Sequence, residues 1–279
     1  MDTEDRLADL RNRLRGLGGV LVAFSSGADS AFLLAAAVRA LGAEYVVAAT
    51  AVSPSLAGSE LERASAFALG LGVAHHAPRT DELSRDGYRA NAGDRCYFCK
   101  SELLDVLRPL ARQLGLPSVA TGTNADDAVA GFRPGIRAAA ERGAISPLRD
   151  AGLTKRQIRA ASRDWGLSTW DKPAAACLSS RIAFGESITA DRLARVDRAE
   201  ADLRRALGRA GLPVRDLRVR DLGAAGARIE VDAELAPALA QRADLLSVVR
   251  GFAAVQVDPR GFRSGSMNEL LPDPVRYRD

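Results

Sequence analysis

The stretch VLVAFSSGADSAFLLAAAVRALG, residues 20–42, decides the fold. Its first five residues are apolar, a run that suits a strand buried on both faces of a parallel sheet. SSGADS at 25–30 breaks the run, and AFLLAAAVRALG then reads as a helix ending near Gly42. Working outward, EYVVAATAV (44–52) predicts a second buried strand and SELERASAFALGLG (59–72) a second helix. VAHHAPR (73–79) predicts a third, shorter strand, and PSVATGTNADDAVA (117–130) a fourth strand, a glycine turn and a helix start. Strands alternating with helices predict an α/β fold with a parallel sheet.

The loop at 25–30 carries chemistry. Ser25, Ser26, Gly27, Ser30 and the first amides of the helix form a concave set of N–H donors at a helix N-terminus. Unpaired amides and the helix dipole both favour an anion there. No GxxxxGK[ST] pattern is present, so this is not a Walker A loop. The alternative is an ordinary βα turn capped by Ser or Asp. The loop resembles the SGGxDS pyrophosphate loop of the N-type ATP pyrophosphatases. That resemblance implies a PP-loop ATP pyrophosphatase domain (adenine nucleotide alpha hydrolase-like) that binds ATP and Mg²⁺. Ser25, Ser26, Gly27, Asp29 and Ser30 would then hold the phosphates, with Asp29 organising the metal. Ser26 departs from the pattern: glycine is usual there, and serine tolerates positive φ less well. Thr121, Asn124, Asp126 and Asp127 sit at the carboxyl end of the fourth strand, the edge where ligands bind in open α/β sheets. Thr121 and Asp127 join the expected ATP-binding set, although Asn124 and the acids also read as helix caps. His75 and His76 are neighbours on a strand, point to opposite faces and are read as structural.

The chain has 279 residues, enough for one large domain or two smaller ones, and its 47% hydrophobic content supports a buried core. No apolar run approaches the roughly 20 residues that span a bilayer. The N-terminal MDTEDRLADLRNRLRGLGG is charged and helix-like rather than a signal peptide, so a cytoplasmic location is expected. Net charge is +4, with bases and acids interleaved and aromatics at 5%, which argues against nucleic acid as a partner. Only Lys100, Lys155 and Lys172 are lysines; the other cations are arginines.

Cys96 and Cys99 form a CxxC pair in RCYFCK, and Cys177 is the one other cysteine. A disulfide framework does not suit a reducing cytoplasm, which leaves metal binding, thiol chemistry, or burial as small hydrophobes. Zinc wants a fourth ligand. The blocks FSSGADS, RCYFCKSELLD, ATGTNADD, SPLRDAGLTKRQIR, WDKPAAACLSSRIAFGE and GFRSGSMNEL resemble the LarE family of ATP-dependent sulfur transferases, and they span nearly the whole chain. The block around Cys177 is the most specific. The resemblance implies adenylylation of a carboxylate of pyridinium-3,5-dicarboxylate mononucleotide, then its conversion to a thiocarboxylate in nickel-pincer nucleotide synthesis for lactate racemase. Sulfur would come from Cys177 itself, leaving dehydroalanine, or from sulfide on a [4Fe-4S] cluster held by Cys96, Cys99 and Cys177. It also implies a small-molecule nucleotide substrate and a homo-oligomer.

From about 187 the pattern changes. SITADRLARVDRAEADLRRALGRAG (187–211) predicts a long helix. PVRDLRVRDLG and ARIEVD predict two strands, residues 236–251 a helix, and FAAVQVDP a last strand. The expected organisation is a PP-loop domain over 1–180 and a smaller α+β domain over 187–279. Arg218 and Arg220 share one strand face and are expected to hold a phosphate or carboxylate, with Glu200 and Glu230 as partners; a solvated charged face is the alternative. Arg181, four residues after Cys177, is a further expected substrate ligand. Three rivals remain: an ammonia-using ligase of the NAD synthetase kind, a tRNA thiolase, and a nucleotide sensor whose cysteines hold zinc.

Overall fold

The computed structural model describes residues 2–129, 133–173 and 177–271. Contacts divide the chain into two compact units: Met1–Glu82 and Cys96–Ala175 in the first, Leu83–Arg95 and Ala176–Arg276 in the second.

In the first unit, β1 (Val20–Ala23), β2 (Val46–Ala49), β3 (Ala74–His76) and β4 (Val119–Thr121) form a wholly parallel sheet in the order β3-β2-β1-β4. Its helices are α1 (Thr3–Arg15), α2 (Ala28–Leu41), α3 (Gly58–Gly70), α4 (Arg95–Gln113), α5 (Ala125–Val129), α6 (Pro134–Glu141) and α7 (Lys155–Asp164). The period of two along β1 feeds two cores. Val20, Val22 and Phe24 pack with Leu10 and Leu14 of α1, most of α2, and Ile158 and Ala161 of α7. Leu21 and Ala23 pack with Leu104, Leu107 and Ala111 of α4 and Ala139 of α6. Ser30–Ala37 are all buried because α1 and α7 both cover α2. Small alanines let three helices approach closely, and Phe32 stacks on Trp165 with ring centres 4.7 Å apart.

Strand order reverses between β1 and β4. Such a switch point leaves a crevice at the carboxyl ends of the two strands. Residues 25–27 and 122–124 follow those neighbours and share it.

Some elements differ from expectation. Ala43–Tyr45 form a 3₁₀ turn, so β2 is shorter than 44–52. RCYFCK, given no element from sequence, opens the 19-residue α4, which carries Pro109 inside it at the cost of one helix hydrogen bond.

The second unit has a three-stranded sheet in the order β5 (Leu217–Asp221), β6 (Ala227–Val231), β7 (Val255–Val257). β5 and β6 are antiparallel, β6 and β7 parallel. Helix α8 (Ala190–Arg209) packs Leu203 and Leu207 onto Leu217, Val219, Ile229 and Val231. The predicted helix over 236–251 is two short ones, α9 (Ala236–Ala240) and α10 (Ala243–Leu246). Leu239, Leu245 and Val249 all enter the core. In an unbroken helix, residues six apart point about 120° apart, and the break at Arg242 brings both leucines inward.

Candidate active site

The loop after β1 is held by its own short side chains. Ser25 and Ser30 hydroxyls are 3.0 Å apart, Ser30 Oγ donates to the Gly27 carbonyl at 3.2 Å, and the Gly27 N–H donates to Ser25 Oγ at 3.4 Å. The Ser30 hydroxyl is buried, so it shapes the loop, while Ser25 is exposed. Ser26 stands at φ 58°, in the left-handed region; Asn91 is the other non-glycine residue there among the described residues. Gly122, after β4, answers a different need. A Cβ on it would lie 2.9 Å from the Ser30 nitrogen, so only glycine lets the two loops approach.

The acids group around this edge. Asn124 Nδ2 donates to Asp29 Oδ2 at 3.1 Å, and Asn124 Oδ1 accepts the Asp127 N–H at 3.0 Å. Burial, and then the Asp127 charge, raise the Asp29 carboxyl above the usual carboxylate range; Lys155 and the Asn124 bond pull it back. Lys155 Nζ is 2.9 Å from Asp127. Asp126 accepts the backbone N–H of Lys155 at 2.7 Å and ties α5 to α7. The Thr121 hydroxyl meets those of Thr123 and Ser146, each at 3.2 Å. A Mg²⁺ ion bound chiefly by phosphates and water needs only one or two carboxylates. Asp29 suits that role, because a cation relieves the same repulsion that raises its proton affinity. His75 bridges Ser65 and Thr50 and serves the strand.

Lys172 was not singled out by sequence reasoning. Its ammonium donates to Ser26 O and Oγ, both at 2.9 Å, and to Glu60 at 2.7 Å. The signals available were its place at the head of the block around Cys177 and its being one of three lysines in an arginine-rich chain.

The second unit carries the other candidate centre. Cys177 is exposed. Its carbonyl accepts from Ser180 Oγ at 2.8 Å and from Arg181 Nη1 at 3.2 Å. Arg181 is buried and makes a two-pronged pair with Glu200 at 2.9 and 3.1 Å; Glu200 also accepts the Val219 N–H at 3.0 Å. Arg220 donates twice to Glu230 Oε2, at 3.0 and 2.6 Å, and to the Ser180 carbonyl at 3.2 Å. Ser266 and Arg228 complete the shell of Glu230. Thus Glu230 partners Arg220, whereas Glu200 partners Arg181 rather than the strand arginines expected from sequence. Arg218 donates to the Leu217 carbonyl and lies over the Phe262 ring, 5.0 Å from its centre. Burial pushes its guanidinium down to about 10, and the Arg181 and Arg220 charges push the same way. Three buried guanidiniums drawn together favour an anion. The loop after Cys177 is fixed further by Asn91, whose Nδ2 donates to the Ile182, Ala183 and Glu186 carbonyls, and by Arg95, which donates to the Ser179 carbonyl at 3.0 Å. Neither residue was anticipated.

Cys96 and Cys99 lie three apart in the first turn of α4, which puts them on one face. Burial lowers the adjacent Lys100 ammonium below the usual lysine range. Among the described residues, no group of three or more His, Cys, Asp and Glu side chains stands close enough together to hold a metal ion. Cys96 and Cys99 belong to the first unit and Cys177 to the second.

No protein-family model matches the chain. It is 44% identical over 273 residues to an uncharacterized protein of Synechocystis sp., covering 96% of this chain and 98% of that one. A 27% identity over 176 residues relates it to an uncharacterized protein of Methanocaldococcus jannaschii, over 62% and 66% of the two chains. Over 270 residues, 95% of this chain and 94% of the other, it is 35% identical to the pyridinium-3,5-bisthiocarboxylic acid mononucleotide synthase of Lactiplantibacillus plantarum. A match of that identity along nearly the whole length places the protein in the pyridinium-3,5-bisthiocarboxylic acid mononucleotide synthase family, the LarE family.

Proposed function

We propose that the chain is an ATP-dependent sulfur transferase, forming AMP and pyrophosphate, that converts a carboxylate of pyridinium-3,5-dicarboxylate mononucleotide to a thiocarboxylate. The observation that carries it is the exposed Cys177, gripped through its carbonyl by Arg181 and Ser180 beside two further buried arginines, Arg218 and Arg220. A free carboxylate is a poor acyl donor, and adenylylation supplies AMP as a leaving group. The loop at 25–30 holds the ATP phosphates, and Asp29 would hold the Mg²⁺ that offsets their charge. Arg181, Arg218 and Arg220, with Glu200 setting the geometry, hold the acidic acceptor. The Cys177 thiolate displaces AMP to give a thioester; cleavage of its Cβ–S bond, with loss of the Cα proton, leaves the thiocarboxylate and dehydroalanine. The chain acts on a small nucleotide in the cytoplasm, as a homo-oligomer. No helix among the described residues is long and apolar enough to cross a membrane.

A second sulfur source rests on Cys96 and Cys99 lying on one helix face. Thiolates on that face would hold a cluster, which would supply sulfide in place of the Cys177 sulfur. Incubation with ATP and the dicarboxylate mononucleotide tests both. Pyrophosphate, thiocarboxylate and a protein mass lower by about 34 Da mark donation from Cys177. Repeated transfer at unchanged mass, with iron and sulfide in anaerobically prepared protein, marks the second source. No pyrophosphate at all removes the reading.

A further inference from the structure

The ammonium of Lys172 has three donors, and all are engaged: two on Ser26 and one on Glu60. The ion pair is mostly buried, with the Lys172 and Glu60 side chains 16% and 15% exposed. Glu60 stands in the first turn of α3 and also accepts from Arg63 at 3.2 Å. The Lys172 backbone is fixed too, its N–H donating to Thr169 and its carbonyl accepting from Arg159 at 2.8 Å. A rigidly held cation therefore grips one residue of the phosphate loop by both its carbonyl and its hydroxyl. That residue is Ser26, at φ 58°. Glycine adopts such a backbone freely, whereas an L side chain is strained there. Gripping both oxygens from one point favours the backbone orientation that presents them together.

We propose that Lys172 is a positioning residue: it holds Ser26 in the left-handed conformation, with Glu60 fixing the ammonium, and so keeps the loop shaped for the anionic end of ATP. This rests on reading residues 25–30 as the ATP phosphate loop. The serine at the usual glycine position and the lysine of the KP dipeptide then form one device, and loss of either partner alters what the other does.

The test is a double-substitution cycle on pyrophosphate release in a single turnover as ATP is varied, with KM and kcat standing for the half-saturating ATP and the maximal rate of that turnover. Lys172→Met is expected to raise KM for ATP about tenfold, the size of one charged hydrogen bond, with kcat changed less than about threefold. In a Ser26→Gly background, the same replacement is expected to change KM by less than about twofold, because glycine needs no holding. An unchanged KM in Lys172→Met overturns the proposal. So does a tenfold loss that persists in Ser26→Gly, which would make Lys172 a direct phosphate ligand. If Lys172→Met does not fold, Glu60→Gln replaces it, with KM expected up about threefold and the effect again absent in Ser26→Gly; failure of either overturns the proposal. Hydrogen–deuterium exchange of a peptide covering 24–30 in the ligand-free chain reads the grip without ATP chemistry. Lys172→Met is expected to speed it about fivefold or more. Faster exchange in a protein that releases no pyrophosphate keeps the grip and removes the ATP reading. Unchanged exchange removes the grip whatever the ATP reading does.

Discussion

The loop at 25–30 and the Cys177 loop hold their groups by different means. The first is shaped chiefly by small residues near in sequence, with Lys172 reaching in from afar: Ser25, Gly27 and Ser30 bond among themselves at the mouth of α2. The second is shaped by long charged side chains from far apart: Arg181, Glu200 on α8, Arg220 on β5 and Glu230 on β6. A loop built from backbone amides depends on a few residues of the right size. A loop built from buried ion pairs depends on every charge keeping its partner, since an orphaned buried charge is costly. Substitutions in the first are expected to alter activity with little effect on stability, and substitutions in the second to alter both.

The largest effect tests whether the two regions do separate jobs. Cys177→Ala is expected to abolish thiocarboxylate formation while pyrophosphate release in a single turnover stays within about threefold of the parent. Equal loss of both would merge the two regions into one function.

Asp29→Ala is expected to lower pyrophosphate release by about 10²–10³-fold with the fold intact by circular dichroism, as for loss of one group organising transition-state charge. Asp29→Asn should be as inactive yet melt higher. The sign follows from the raised Asp29 carboxyl: the folded state binds the proton more readily than the unfolded one. Its contribution to stability therefore falls as pH rises from the ordinary aspartate value through the raised one, and at neutral pH the buried charge is a net cost. An asparagine that melts lower than aspartate would contradict this.

Arg181→Ala removes the partner of Glu200 and one of the three donors to the Cys177 carbonyl. It is expected to cost about 3 kcal/mol in urea unfolding and to weaken acceptor use more than ATP affinity. Matching losses of both affinities would assign Arg181 to nucleotide binding instead.

Gly122→Ala should have the smallest effect: unfolding shifts by about 1–2 kcal/mol while KM for ATP rises severalfold. The added Cβ presses on the Ser30 amide at the start of α2. A stability loss larger than that of Arg181→Ala would reverse the contrast between the regions.

The two regions also differed in how far the sequence revealed them. The parallel sheet was legible because VLVAF, VVAA and VAT are short apolar runs separated by helical periods, and the loop because its residues are consecutive. The Thr154–Gln157 capping box likewise marks the start of α7. In the second unit, the alternation of Arg218 and Arg220 was legible, since period two puts both on one face. Their partners were not. Register sets Arg218 opposite Glu230, yet Arg220 reaches Glu230 diagonally, and Glu200 turns to a loop residue. Long side chains choose among several acids within reach, and spacing does not rank those choices. Segment 83–95 belongs to the second unit through Asn91, a residue whose type signals a turn but not three distant carbonyls.

Arg181 and Ser180 grip Cys177 by its carbonyl oxygen, and neither bond involves sulfur. Chemistry at the thiol therefore leaves the anchor standing. On the proposed mechanism, a copy whose Cys177 has given up its sulfur keeps both of these bonds, and so competes with fresh copies for ligand without converting it. In a mixed population, output falls through competition among folded molecules, and a melting curve registers little of the change.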